Sequence, residues 1–287
     1  MKIIVNLAGG FGNQMFCYAL AYAMSKEKKA LLFIDTSMQD NGIARDLEIL
    51  NLNISYDGRV TYPIKKDLFS RALGNKLRKK IALGLKTKGY YEKYSSVYEP
   101  QILLFGNNAK TIYYEGNWQS EKYFLKYRKE LLRLFIPKNP RNRYIEEIRE
   151  KMKNSNSVAI HVRRGDYVSI GCNISMDYYD KAIALMVNKI PNNPDFWIFS
   201  DDIAFCKEYF KKYENIVNLY YLNYQSDNYT VDDMYIMSAC QNNIIANSSY
   251  SWWGAWLNSN ENKIVICPQL GMWTGDFYPE KWIKIDC

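Results

Sequence analysis

Short apolar runs alternate with longer stretches of helical period along most of this chain. KIIVNL (2–7) has a strand pattern, AGGFGNQ (8–14) is a glycine-rich turn, MFCYALAYAMSKEKK (15–29) has a helix pattern and ALLFID (30–35) a second strand pattern. The alternation returns after residue 155. SVAIHV (157–162) and DFWIFSDD (195–202) read as strands, as do IVNLYYLN (216–223), NNIIAN (242–247) and KIVICP (263–268). Helix patterns over 175–190, 203–213, 232–240 and 249–258 separate them. Such alternation predicts parallel sheets covered by helices. Residues 40–155 are less regular, and IPKNPRNR (136–143), with two prolines among polar residues, reads as a linker. The expected architecture is α/β: two Rossmann-like lobes with a cleft between them, the N-terminal lobe over 1–150 and the C-terminal lobe over 151–287.

Charge changes this picture in one place. The net charge is +8, and residues 65–93 alone hold ten Lys/Arg against two acidic residues, which leaves the remainder neutral. Phe69, Leu73, Leu77, Ile81 and Leu85 recur there every four residues, as in a basic amphipathic helix. Such a helix either docks on the core or contacts an anionic lipid surface. The neutral remainder argues against nucleic acid as a partner. The six cysteines are scattered without a C-x-x-C pair, as expected of reduced thiols, and His161 is the single histidine, which excludes a histidine-rich metal site. No signal-peptide pattern and no run of about 18 apolar residues occurs. The expected location is cytoplasmic, with 65–93 as the candidate peripheral contact to the inner face of a membrane.

Three polar motifs fall at the carboxyl ends of predicted strands, where open α/β sheets bind ligands. The first is GGFGNQ (9–14), in which Gly10 and Gly12 let backbone N–H groups approach a ligand at a helix N-terminus. Asp35 ends the next strand, where a dinucleotide site would carry a ribose-binding acid, but Met15 occupies the third glycine position. The second is HVRRGD (161–166). Here Arg163 is suited to gripping a phosphate through paired hydrogen bonds, and Arg164 with Asp166 reads as an ion pair shaping the loop. The third is NSSYSWW (247–253), whose Ser248 and Ser249 either cap a helix or help to cradle a phosphate. Together the motifs suggest a nucleoside diphosphate. No D-x-D occurs anywhere, so the paired carboxylates by which a hard cation typically holds a sugar nucleotide are missing from the sequence. A cationic side chain, Arg163, is then the expected stabiliser of the leaving diphosphate.

Five stretches in order carry a family resemblance: GGFGNQMFCYALA (9–21), GNWQSEKYF (116–124), HVRRGDYV (161–168), FSDD (199–202) and NSSYSWWGAWL (247–257). By these the chain resembles the bacterial α-1,2-fucosyltransferases of glycosyltransferase family 11, over nearly its full length. The resemblance implies a GT-B fold. It also implies inverting transfer of fucose from GDP-fucose to the 2-hydroxyl of a terminal β-galactoside, free or lipid-linked, with no metal or other cofactor. Such transfer serves O-antigen, capsule or other surface glycans. It further implies that His161 contacts guanine, Arg163 the β-phosphate, and Ser248 and Ser249 the phosphates. Asp233 would read guanine, Asn13 would face the reacting sugar, and Trp118 and Gln119 would line the acceptor pocket. Asp166 is the carboxylate nearest the arginines. The α-1,6 relatives place a glutamate, a general-base candidate, near the position that Gly171 fills here, so the resemblance names no base. The rival readings are a fucosyltransferase of another linkage, a nucleotide-dependent oxidoreductase and a non-catalytic glycan-binding protein.

Overall fold

The computed structural model describes residues 1–40, 42, 45–61, 89–94, 96–138, 142–222, 224, 226, 228–271 and 275–287. The basic helix expected over 65–93 lies outside them, except at its end, where Tyr90–Lys93 is a strand. The chain forms two compact units, Met1–Phe135 with Gly275–Phe277, and Ile136–Thr274 with Tyr278–Cys287.

The first unit holds a parallel sheet of order β3-β2-β1-β5-β4. Its strands are β1 (Lys2–Asn6), β2 (Leu31–Asp35), β3 (Gly58–Val60), β4 (Tyr90–Lys93) and β5 (Thr111–Gly116). Helix α1 (Phe11–Glu27) follows the glycine turn and is buried over most of its length. Its alanines and small turns let it lie close on the strands, with Ile3, Val5, Leu32, Ile34 and Ile112 all within 3% of full burial. The second unit holds a parallel sheet of order β11-β10-β9-β6-β7-β8. These are β6 (Ser157–Val162), β7 (Asp195–Ser200), β8 (Asn218–Tyr221), β9 (Asn242–Ile244), β10 (Val265–Gln269) and β11 (Ile283–Asp286). Its connecting helices include α2 (Arg143–Lys153), α3 (Gly165–Ser169), α4 (Met176–Lys189), α5 (Ile203–Phe210), α6 (Tyr229–Met237) and α7 (Ser249–Leu257).

The division falls at 135/136, ahead of the expected boundary at 150. The reason is α2, whose Ile145 and Met152 pack against Ala159, Trp197 and Ile236 of the second unit. The strands β3, β4 and β5 were not legible as a pattern in the sequence. β3 is GRV and gains its identity from register with β2, Ile34 facing Arg59. β4 pairs with β5, Tyr91 facing Tyr114. Edge strands of this kind are decided by cross-strand partners more than by intrinsic preference.

In both units the chain builds outward from a central strand, then returns to its other side. That reversal falls between β1 and β5 in the first sheet and between β6 and β9 in the second. Loops leaving the two strands at such a point diverge and open a crevice. GGFGNQ and GNWQ leave the first reversal; HVRRGD and NSSYSWW leave the second. Among the described residues, no helix is long and apolar enough to cross a membrane.

Gly116 closes β5 at φ +120°, and a Cβ there would stand 1.7 Å from the carbonyl oxygen of Lys93 on β4. Gly116→Ala is therefore expected to lower stability by more than ~2 kcal/mol, read as a drop in the urea unfolding midpoint.

Candidate active site

The second unit gathers its charge at the end of β6, a strand buried at every residue. Parallel register sets Val162 beside Ser200 on β7, so the next residues, Arg163 and Asp201, emerge together. Arg163 Nη1 lies 2.9 Å from Asp201 Oδ2, and Arg163 Nη2 donates to Asp166 Oδ1 at 2.6 Å. Arg164 takes a different course, as alternation along an extended segment requires. Its Nε donates to Asp202 Oδ2 at 3.0 Å and its guanidinium stacks 3.4 Å from the Phe205 ring centroid. The expected Arg164–Asp166 pair is thus replaced by Arg163–Asp166 and Arg164–Asp202, because α3 starts at Gly165 and turns Asp166 back toward Arg163.

His161 is 5% exposed, and its Nδ1 is buried without a hydrogen-bond partner. Burial, reinforced by the nearby Arg163 charge, pushes its pKa down to about 3, so the ring is neutral at physiological pH. Its ring packs 5.3 Å from that of Tyr250 on α7. Tyr250 in turn donates through its hydroxyl to Thr230 O at 2.7 Å and ties α7 to α6. Ser248 accepts the Tyr250 N–H at 3.2 Å and caps α7, while Ser249 opens that helix, half-buried. Asn247, 2% exposed, donates to Cys172 O at 2.8 Å and leaves its own Oδ1 buried without a partner. That bond joins the loop after β9 to the loop after α3. Two polar atoms, His161 Nδ1 and Asn247 Oδ1, are thus buried without a hydrogen-bond partner at the reversal of the second sheet.

Asp233 on α6 accepts from the Tyr224 hydroxyl at 2.5 Å. Burial raises its carboxyl to about 6 despite that hydrogen bond, and neighbouring Asp232 adds in the same direction.

In the first unit, Gly9 takes φ +77° and Gly10 ends the turn, its carbonyl accepting the N–H groups of Asn13 and Gln14 at 2.9 and 3.1 Å. Gly12 is buried in the first turn of α1. Asn13 Oδ1 accepts from Gln119 Nε2 at 3.0 Å, across the reversal between β1 and β5. Gln14 is a fastener: fully buried, it donates to Gly9 O and Asp46 O and accepts from Ile49 N. Trp118 is packed in the core. It is 0% exposed, with its ring 5.8 Å from those of Tyr91, Tyr114 and Tyr123, so it is core that sets the position of Gln119. Asp35 is likewise spoken for. It is 1% exposed and accepts from Ser37 N–H, the Ser37 hydroxyl and the Tyr113 hydroxyl, which leaves no role on a ribose. The dinucleotide reading loses its acid.

In the FSDD motif, the aspartates carry no role assigned from sequence. Their position at the end of a predicted strand was the available signal; the register that sets Asp201 against Arg163 was not. Glu115, bonded to Asn6 Nδ2 at 3.1 Å at the end of β5, was also missed. Among the described residues, no group of three or more His, Cys, Asp or Glu side chains is placed to hold a metal ion.

The sequence profile of Glycosyl transferase family 11 matches residues 1–284. The chain belongs to that family. It is 33% identical over 99% of its own length to an α-1,2-colitosyltransferase of Escherichia coli, 99% of which is covered. A second relative, the O-antigen biosynthesis glycosyltransferase WbnK of Escherichia coli, is 33% identical, with 92% of each chain covered. In structure the chain is similar to a mutant of Arabidopsis thaliana FUT1 in complex with GDP, at TM-score 0.52 and 11% identity, over 93% of this chain and 70% of that one. It is similar also to the α-1,6-fucosyltransferase NodZ soaked with GDP-fucose, at TM-score 0.52 and 13% identity, over 89% and 92%. These two likenesses concern the fold, which is of GT-B type. The protein is a glycosyltransferase, as its family and its curated relatives indicate.

Asp233 gives a pH signature. Its folded pKa, about 6, exceeds the ordinary 3.8, so the proton is held more tightly in the folded protein. Its contribution to stability is present below the ordinary value and is lost as pH rises through about 6. Asp233→Asn should therefore flatten the fall in unfolding midpoint between pH 4 and pH 7, measured at fixed ionic strength.

Proposed function

We propose that this glycosyltransferase moves L-fucose from GDP-fucose to the 2-hydroxyl of a terminal β-galactoside, with inversion, in the assembly of O-antigen or a similar surface glycan. The observation that carries the reading is the end of β6, where a buried neutral His161 stands beside a guanidinium at the reversal of a nucleotide-type sheet. Arg163 neutralises the β-phosphate as the bond from the sugar's anomeric carbon to its oxygen breaks. The N-terminus of α7 with Ser248 and Ser249 adds backbone and hydroxyl donors for the same diphosphate. His161 and Asp233 read the guanine, whose N–H groups suit a neutral ring nitrogen and a carboxylate as acceptors. Asn13, whose carbonyl oxygen is held by Gln119, keeps its amide N–H to orient the acceptor hydroxyl. The acceptor oxygen forms the new bond to the anomeric carbon, GDP leaves with the electron pair of the old one, and the hydroxyl proton passes to a phosphate oxygen. Before the donor binds, Asp166 is engaged by Arg163 at 2.6 Å. No metal enters this scheme, in keeping with a sequence that has no D-x-D.

The α-1,2-colitosyltransferase, matched over nearly its full length, supports a second reading in which the donor sugar is colitose. The O-antigen enzyme supports the biosynthetic setting. A lipid-linked acceptor at a membrane surface would suit the basic stretch 65–93.

Incubating the protein with lactose and either GDP-fucose or GDP-colitose, with and without EDTA, tests donor, linkage and metal together. An EDTA-resistant trisaccharide with fucose on galactose O2, seen by NMR, is expected; product from GDP-colitose alone would select the second reading. Arg163→Ala should lower kcat by at least about a hundredfold, and Arg163→Lys should fail nearly as badly because an ammonium cannot offer the paired geometry. GDP affinity should weaken as pH falls below about 6, where Asp233 takes up its proton, and Asp233→Asn should abolish that dependence.

A further inference from the structure

Arg163 is gripped from two sides, and the two grips differ in kind. Asp201 reaches it from the end of β7. Its Oδ2 stands 2.9 Å from Arg163 Nη1, and its Oδ1 accepts the backbone N–H of Arg164 at 2.8 Å. One carboxylate thus spans the guanidinium and the backbone that carries it. The space for it depends on Gly165, where a Cβ would stand 2.6 Å from Asp201 Oδ2. Asp166 comes from the first turn of the short helix α3, and its carboxylate, 48% exposed, bonds the same guanidinium at 2.6 Å. Arg163 therefore faces two negative charges where the proposed reaction needs it to face phosphate.

We infer that Asp201 is a positioning residue that aims Arg163 at the donor diphosphate, and that Asp166 is a displaceable stand-in that occupies the phosphate position until the donor arrives. The inference rests on the reading of Arg163 as the diphosphate ligand. Asp201 is held by the hydrogen bond from the Arg164 N–H, by its ion pair with Arg163, and by its place at the end of β7, paired with β6. It lies against Nη1 and leaves Nη2 for the incoming oxygens. Asp166 holds Nη2 through a partly exposed ion pair, an interaction weak enough for a diphosphate to replace. The arrangement keeps Arg163 oriented before binding, which lowers the ordering cost at the moment of binding.

The test is the affinity of wild type and variants for GDP and for GMP, by isothermal titration calorimetry. GMP retains guanine and the α-phosphate but lacks the β-phosphate. In the wild type GDP should bind far more tightly than GMP, and Arg163→Ala should collapse that ratio; if either fails, the diphosphate reading itself falls. Given that, Asp201→Asn should cut the ratio by about tenfold with GMP affinity little changed. Asp201→Asn added to Arg163→Ala should produce no further loss. A role confined to folding would instead weaken GDP and GMP alike and would add to Arg163→Ala. Asp166→Asn should tighten GDP by about two- to fivefold, since a competitor has been removed. An unchanged ratio in Asp201→Asn, or weaker GDP binding in Asp166→Asn, would overturn the inference.

Discussion

The six consecutive buried residues of β6, Ser157–Val162, place the backbone of the second unit under one constraint. Their N–H and C=O groups have no water to turn to, so the strand must pair on both sides, with β7 and with β9. Parallel pairing brings the carboxyl ends of all three strands to one level. His161, Arg163, Asp201 and Asn247 are consequences of that levelling. Asp201 and Asn247 lie far from His161 and Arg163 in the chain and come to the same sheet end through the register. A shift of one residue would turn His161 and Arg163 to the opposite face and dismantle the cluster.

The same logic governs the first unit with different chemistry. There the reversal between β1 and β5 sets the glycine turn against the segment after Gly116. Gln14 pins the turn from below through three hydrogen bonds, and Trp118 fills the core under Gln119. The outcome is an amide pair, Asn13 with Gln119, neutral where the other unit is charged. A neutral amide suits a sugar hydroxyl and a guanidinium suits a diphosphate. The difference between the two units is thus a difference between the substrates each is proposed to meet.

The buried polar atoms at the second reversal have a cost. His161 is kept uncharged by burial and by the arginine two residues on, and Asp233 is held partly in its acid form by the same loss of water. Burial disfavours the charged form of both, and the proposed role on a base with N–H groups would give them partners. Function of this kind draws on stability supplied elsewhere, here by the apolar layer of Ile160, Phe196, Ile198 and Ile244 around the central strands.

Much of this was legible in the residues. The alternation of strand and helix patterns announced two nucleotide-type sheets, and SVAIHV, with its apolar run, marked the central strand within its true limits. The five motifs named the family, and the elements were readable because period and local turn requirements are properties of neighbours in the chain. What the chain alone left undecided was partnership. Arg163 and Asp201 are separated by three secondary elements, α3, α4 and β7, and only register makes them a pair; Arg164 with Asp166 was the nearer choice in sequence and the wrong one in space. Trp118 stands in a polar motif yet belongs to the core, and Asp35 ends a strand yet spends its carboxylate on Ser37 and Tyr113. Short-range pattern determines which elements form. Which side chains those elements bring within hydrogen-bond reach is decided by packing over the whole sheet, and no local window contains it.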